Sequence, residues 1–194
     1  LPRPRRCRAE RLNGFFDALG PDGVAGLKLA TTDMSGAFKK ALAEHAAHVD
    51  IAFDRFHVQR LVHVALDEVR RSLVNQAPPE AKKALKETRF TLQRAPWKLD
   101  AVARRKLGEL EAENHPLYQA YLMKESLVAI FDTATPDDIH DLLMDWLRWI
   151  DEEGSPPFQK AATTIAAHFD GVCAISTPDI PMRVPKGSTE RFVS

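Results

Sequence analysis

The stretch GVAGLKLATTDMSGAFKKALAEHAAHVDIAFDRFHV, Gly23 to Val58, decides how the chain is read. Val24, Leu27, Leu29 and Ala30 make a short apolar run that ends at Asp33, too short between its glycines for a helix, so a strand is expected up to Thr32. Ser35 is placed to cap a helix, whose face is Ala37, Phe38, Ala41, Leu42 and His45. Val49 to Phe53 alternates as a second strand and ends at Asp54. Two strands joined by one helix through short connections predict a parallel pair with a right-handed crossover. Asp33 and Asp54 then follow the carboxyl ends of adjacent strands, the edge at which α/β sheets build sites.

Upstream, Leu12, Phe15, Phe16 and Leu19 repeat at helical spacing until Gly20-Pro21, which predicts a helix over 8–19. Downstream the signals are almost all helical. A long helix from Phe56 turns Val58, Val62, Ala65, Val69 and Leu73 inward and Arg60, Glu68 and Arg71 outward, and stops at Ala77-Pro78-Pro79. Further helices are expected at 80–94, 99–113, 117–131, 136–152 and 157–169. Thr135-Pro136-Asp137-Asp138 reads as a capped start with Pro136 in the first turn. Ile139, Leu142, Leu143, Trp146 and Ile150 then form one stripe. No fixed-period repeat is present, which disfavours a solenoid. The fold class expected is therefore α/β in the N-terminal third followed by an all-α region, divided as 1–60, 61–170 and an irregular 171–194.

The 194 residues carry 27 Lys and Arg against 27 Asp and Glu, and 44% are hydrophobic. A balanced charge restricts any basic surface to a local one. Cys7 and Cys173 are far apart and lack metal-ligand spacing, which argues against a disulfide scaffold and fits a reducing compartment. No apolar run is long enough to span a bilayer, and the start resembles no signal peptide, so no membrane partner is expected. No Walker loop, dinucleotide fingerprint or nucleophile elbow occurs.

Chemistry concentrates at Asp33 and at Asp54-Arg55-Phe56-His57. A carboxylate at a strand end beside Gly36 suits a divalent metal site in phosphoryl transfer; it equally suits a helix cap. Asp54 and His57 form an Asp-x-x-His pair at a strand-to-helix junction, readable as a polar pair beside a site or as a cap with an ordinary histidine. Arg55 is a candidate for DNA phosphate, or a solvated side chain. The other histidines lack ligand spacing. Trp97, Trp146 and Trp149 are stacking platforms for bases or core residues, and the stripe carrying Trp146 favours the core. Arg3, Arg5, Arg6, Arg8 and Arg11 make a local basic run.

Asp33-Met34-Ser35 and Phe53-Asp54-Arg55-Phe56-His57-Val58 resemble the core of the ISL-type bacterial insertion-sequence transposases, DDE enzymes with an RNase H-like fold. Arg11-Leu12, Phe15-Phe16, Ala65-Leu66-Asp67-Glu68-Val69-Arg70-Arg71 and Ala120-Tyr121-Leu122-Met123-Lys124-Glu125 extend the likeness over 8–174. The resemblance implies metal-assisted cleavage and transfer of DNA strands at insertion-sequence ends, with Mg²⁺ or Mn²⁺ as cofactor. The implied partners are transposon-end DNA and full-length transposase, in the bacterial cytoplasm. It makes Asp33 the second catalytic, metal-holding Asp and Asp54 and His57 a signature pair near the site. Residues 61–170 become the insertion before the final Glu, and the N-terminal sheet a partial one. The first Asp belongs upstream of residue 1. The final Glu belongs in a Glu-Gly-x-Asn-like segment soon after 174, which does not occur. Read one frame over, the codons of 181–189 permit Asn-Ala-x-Ser-Glu-Gly-Phe-Asn, so 171–194 is expected to be an out-of-frame tail and the product inactive. A non-catalytic helical module that binds DNA or protein is the alternative.

Overall fold

The computed structural model describes residues 8–32, 34, 36–135 and 137–176, with side chains from Leu12 onward. Asp33, Ser35, Pro136, the first seven residues and the tail after Ser176 lie outside the described residues, as do the side chains of Arg8 and Arg11. The expectations placed on them therefore rest on sequence alone.

Two strands, β1 (Leu29–Thr32) and β2 (Asp50–Phe53), pair in parallel with Leu29 opposite Asp50 and Thr32 opposite Phe53. Helix α2 (Gly36–His45) crosses between them, as the short connections required. Helix α1 precedes β1 and spans Arg8–Ala25. It departs from the expected break at Gly20-Pro21. The chain kinks there, with Gly20 at φ 71, and resumes a helical turn through Ala25, where a turn leading into the strand was expected from Gly23. A positive φ suits glycine, and Pro21 tolerates the start of a new turn because its missing N–H has no partner to lose. The first strand is correspondingly shorter than expected. Phe16 of α1 is buried with Ala41, Leu42, Ala46 and Val49, and His45 stacks on its ring at 4.9 Å. Phe15, expected on the same inward stripe, is 53% exposed.

Among the described residues every regular element after β2 is a helix: α3 (Arg55–Gln76), α4 (Pro79–Glu87), α5 (Arg89–Gln93), α6 (Ala101–Glu113), α7 (His115–Thr133), α8 (Ile139–Glu153), α9 (Pro156–Ala166) and α10 (Phe169–Cys173). The expected helix over 80–94 is two. Thr88 separates them, with its Oγ1 donating to Leu85 O at 2.8 Å. Helix α8 starts at Ile139 with Asp138 as its N-cap, three residues later than expected; Thr135, expected to be the cap, donates its Oγ1 to the Asp138 carboxylate at 2.6 Å while its carbonyl accepts from Asp138 N and Ile139 N.

Helix α3 is the axis of this region. Its buried face, Val58, Val62, Ala65, Leu66 and Val69, packs on α7 and α9, and one continuous core joins it to Leu117, Leu127, Leu143, Ile150, Phe158 and Ile165. The same core takes in Phe53 of β2. Helix α3 runs unbroken through residue 60, where a unit boundary was expected. Helix α10 closes onto β2 so tightly that a Cβ on Gly171 would lie 2.5 Å from the Phe53 ring and 2.9 Å from Ile51 O, leaving room for glycine alone.

Three polar groups are embedded in the helices. Asp67 binds Arg70 at 2.7 Å and Arg71 at 2.6 Å. Burial pushes its carboxyl up, and the two guanidiniums more than reverse that, leaving it below its usual range. Lys124 is 1% exposed. Its Nζ donates to Leu92 O at 2.9 Å, pairs with Glu125 and lies 4.7 Å from the Tyr121 ring centroid, while burial depresses its pKa. Trp146, 3% exposed, donates its indole N–H to Met123 O at 2.9 Å.

Two stability predictions follow from this packing. Trp146→Ala removes a buried ring and its indole hydrogen bond to Met123 O, and should cost about 3–5 kcal/mol in urea unfolding; a loss under about 1 kcal/mol would place the ring outside the core. Asp67→Asn should cost about 1–3 kcal/mol at neutral pH, because Arg70 stays buried without its counter-charge. Since the folded pKa of Asp67 is depressed, its contribution is present above the ordinary carboxylate range and fades as pH falls through that range and below. The stability gap between wild type and Asp67→Asn should therefore narrow on acidification.

Candidate functional site

The parallel register sends both strands out at one edge. Phe53 ends β2 opposite Thr32, and Asp54 follows as the N-cap of α3. The residue types force this geometry. A short carboxylate with extended backbone, here φ −63 and ψ 119, lets its Oδ1 accept from Phe56 N at 2.9 Å and satisfy an orphan donor of the first turn.

The second oxygen reaches one turn further. Asp54 Oδ2 lies 2.8 Å from His57 Nδ1. A carboxylate accepts, so Nδ1 carries the proton in this pair and Nε2 is the ring nitrogen left for another partner. The sequence pair is thus a real contact: Asp54 is a cap, as expected, and also holds the ring of His57.

His57 borders a groove of about 400 Å³ between α3 and α9, together with Met34, Arg60, Val64, Lys160 and Thr164. Met34, the described residue nearest Asp33 on its C-terminal side, packs against the main core and lines this groove as well. The groove therefore opens beside the strand edge that carries the Asp54–His57 pair. Phe56, next in the sequence, is 72% exposed.

Arg55 is neither solvated nor turned to the groove. It forms an ion pair with Asp132 near the end of α7, and its side chain is 18% exposed. Burial lowers its pKa. With its amide oxygen turned toward the guanidinium, Gln59 accepts from Arg55 Nε at 3.0 Å. Asp132 lies 77 residues away, and no spacing in the sequence announces it as the partner. Arg60 and Lys160 were also not singled out from sequence; they become visible only once α9 lies against α3. Lys124 had a readable signal, being the one cation in the stretch from Leu117 to Phe131.

A divalent ion needs several oxygen donors converging on one point. Among the described residues no three His, Cys, Asp or Glu side chains do so, and both oxygens of Asp54 are already engaged. The described residues alone do not fit such an ion. Among them, too, no helix is long and apolar enough to cross a membrane.

Substitution separates the two tasks of Asp54. Asp54→Ala should cost about 1 kcal/mol through loss of the cap, whereas Asp54→Asn keeps an acceptor for Phe56 N and should stay within a few tenths of wild type. Both should release His57 from its single tautomer, read as a changed nitrogen shift pattern for that imidazole by NMR.

Comparison with known proteins gives the site its context. The model of the ISL3-type DDE family, described as transposase, matches residues 5–184. The transposase for insertion sequence element IS1001 of Bordetella parapertussis is 25% identical over 174 residues, covering 88% of this chain and 43% of that protein. The transposase for insertion sequence element IS1557 of Mycobacterium tuberculosis is 27% identical over 177 residues, covering 79% of this chain and 40% of that protein, in each of two strains. The chain spans about two fifths of the length of the curated relatives it matches. No solved structure matches. A family match that takes in the strand pair, the Asp54–His57 contact and the helices packed on α3 leaves one assignment: the chain belongs to the ISL3-type transposases.

Proposed function

We propose that this chain forms part of the catalytic core of a DNA transposase, which cuts and joins DNA strands at insertion-sequence ends in the bacterial cytoplasm. The observation that carries the proposal is the oriented Asp54–His57 pair at the carboxyl edge of a parallel strand pair, within the stretch on which the family likeness rests. Strands β1 and β2 are then two strands of an RNase H-like sheet, and the helices after α3 are the insertion that precedes the last acidic residue of the site.

In this reading Asp33, directly after Thr32 in sequence, is one of three carboxylates that together hold divalent ions. When bound, such ions activate water and stabilise charge at the transferred phosphorus. The chain's own groups bind and orient. Asp54 fixes the ring of His57 so that Nε2 is presented beside the groove. Arg60 and Lys160 give the groove two cations suited to phosphate, against one acid, Glu68. Arg55 is a strut in this scheme: it holds the start of α3 to α7 through Asp132, and phosphate would have to displace that partner first.

The 194 residues contain one carboxylate assignable to the set of three, so the chain by itself is expected to be inactive. Mg²⁺- or Mn²⁺-dependent cleavage of element-end DNA should be undetectable with these residues alone. It should appear with a longer polypeptide that adds an upstream Asp strand and a downstream Glu-Gly-x-Asn segment, and vanish there in Asp33→Ala. Metal-dependent cleavage by the 194 residues alone would move the site to other acids, with Asp50 and Glu44 the first to test.

A further inference from the structure

The chain is neutral overall, yet its charge is not evenly spread. Residues 82–106 hold nine Lys and Arg against two acids, Glu87 and Asp100. Each acid is matched within the segment, Glu87 by Lys106 at 3.5 Å and Asp100 by Arg94 at 3.4 Å. Lys83, Lys86 and Lys98 have no acidic partner among the described residues and are exposed. This segment covers α4, α5, the 3-10 turn Pro96–Lys98 and the first half of α6.

The same segment exposes two of the largest apolar side chains in the molecule. Phe90 is 71% exposed and Trp97 is 68% exposed. This is not loose packing. Their neighbours Thr91, Leu92, Leu99 and Ala103 are buried, and Leu92 O is held by the buried Lys124. The backbone is thus anchored from beneath while the rings are turned out. Arg89 lies 5.9 Å from the Phe90 ring centroid, and Lys98 directly follows Trp97. Aromatic rings ordinarily bury most of their area, so two standing out of an anchored segment mark a contact surface.

From this juxtaposition we propose that α5 and the turn after it form a second DNA surface, in which cations hold phosphates and Phe90 and Trp97 stack on unpaired bases. The occupant follows from charge complementarity: Arg105 is paired with Glu109 at 3.8 Å, but the excess of cations that remains calls for a polyanion, and interleaved aromatic rings select one with accessible base faces. The proposal rests on the transposase reading for its biological setting and names a substrate feature beyond it, a DNA end with unpaired nucleotides. The surface lies on elements separate from the groove at His57, since no residue of 82–106 lines that groove.

The test uses the 194-residue chain and two labelled DNAs, a short blunt duplex and the same duplex with an unpaired tail, without divalent ions. The wild-type chain should prefer the tailed DNA, with Trp97 fluorescence quenched on binding. Phe90→Ala and Trp97→Ala should each weaken tailed-DNA binding about 10-fold and change blunt-duplex binding far less. Arg89→Ala and Lys98→Ala should weaken both DNAs and each lower the slope of log affinity against log salt by about 1. Circular dichroism checks that each variant is folded; both rings are exposed, so their removal should leave the helices intact.

Equal affinity for the two DNAs, or a folded Phe90→Ala/Trp97→Ala double variant that binds tailed DNA like wild type, would overturn the proposal. So would a double variant whose effect is loss of self-association in sedimentation with DNA binding intact, which would make the patch a protein interface. Binding is read without cleavage and without metal. A failure of the Asp33 assignment shows only in the cleavage assay, and a failure of this surface only in the binding assay.

Discussion

The hydrogen bond from Phe56 N to the Asp54 carboxylate is where the two halves of the molecule are joined. One residue ends β2 and begins α3, so the direction of the sheet fixes the direction of the axial helix. Helix α3 then presents its buried face to α7 and α9, and these organise the remaining helices. The cap itself is worth about 1 kcal/mol, a small part of the total stability. Its structural consequence is larger than its energy, because the same carboxylate also sets the orientation of His57.

The strand–helix–strand unit was legible because its signals are local: alternation in Val49–Phe53, a short apolar run before Asp33, and connections that leave only one sensible crossover. The pairing of Asp54 with His57 was legible for the same reason, three residues on one turn. What failed to show in the sequence was set by tertiary contact or by a single backbone angle. Gly20 and Pro21 read as a stop, but a kink with φ 71 lets the helix resume. The division at Thr88 leaves the apolar period intact on both sides, so nothing in the spacing marks it. The partner of Arg55 came from the far end of α7, and the exposure of Phe15 and Leu142 could not be told from a period that marks them as apolar without saying which side is covered.

The buried ionic groups divide by what holds them. Asp67 is kept charged by two guanidiniums, so its burial costs less than its geometry suggests. Lys124 has one carboxylate, one carbonyl and an aromatic face, and burial still lowers its pKa. Such a lysine contributes little net stability, since desolvation offsets most of the attraction. It does specify where Leu92 O must be, and therefore where α5 sits.

That constraint connects the two surfaces through a single helix. Asp132 and Lys124 both lie on α7, eight residues apart, which is about 12 Å along the axis. Asp132 holds Arg55 at the start of α3, beside the Asp54–His57 pair; Lys124 holds Leu92 O under the exposed Phe90 and Trp97. Helix α7 is thus pinned by charge-assisted contacts at its middle, Lys124, and near its C-terminal end, Asp132, and is held along its length by the core of Leu117, Leu127 and Ile130. Close packing of that core leaves little freedom to change the spacing between the two surfaces. The position of Leu92 O relative to the start of α3 is therefore set by the helix rather than by any flexible connection.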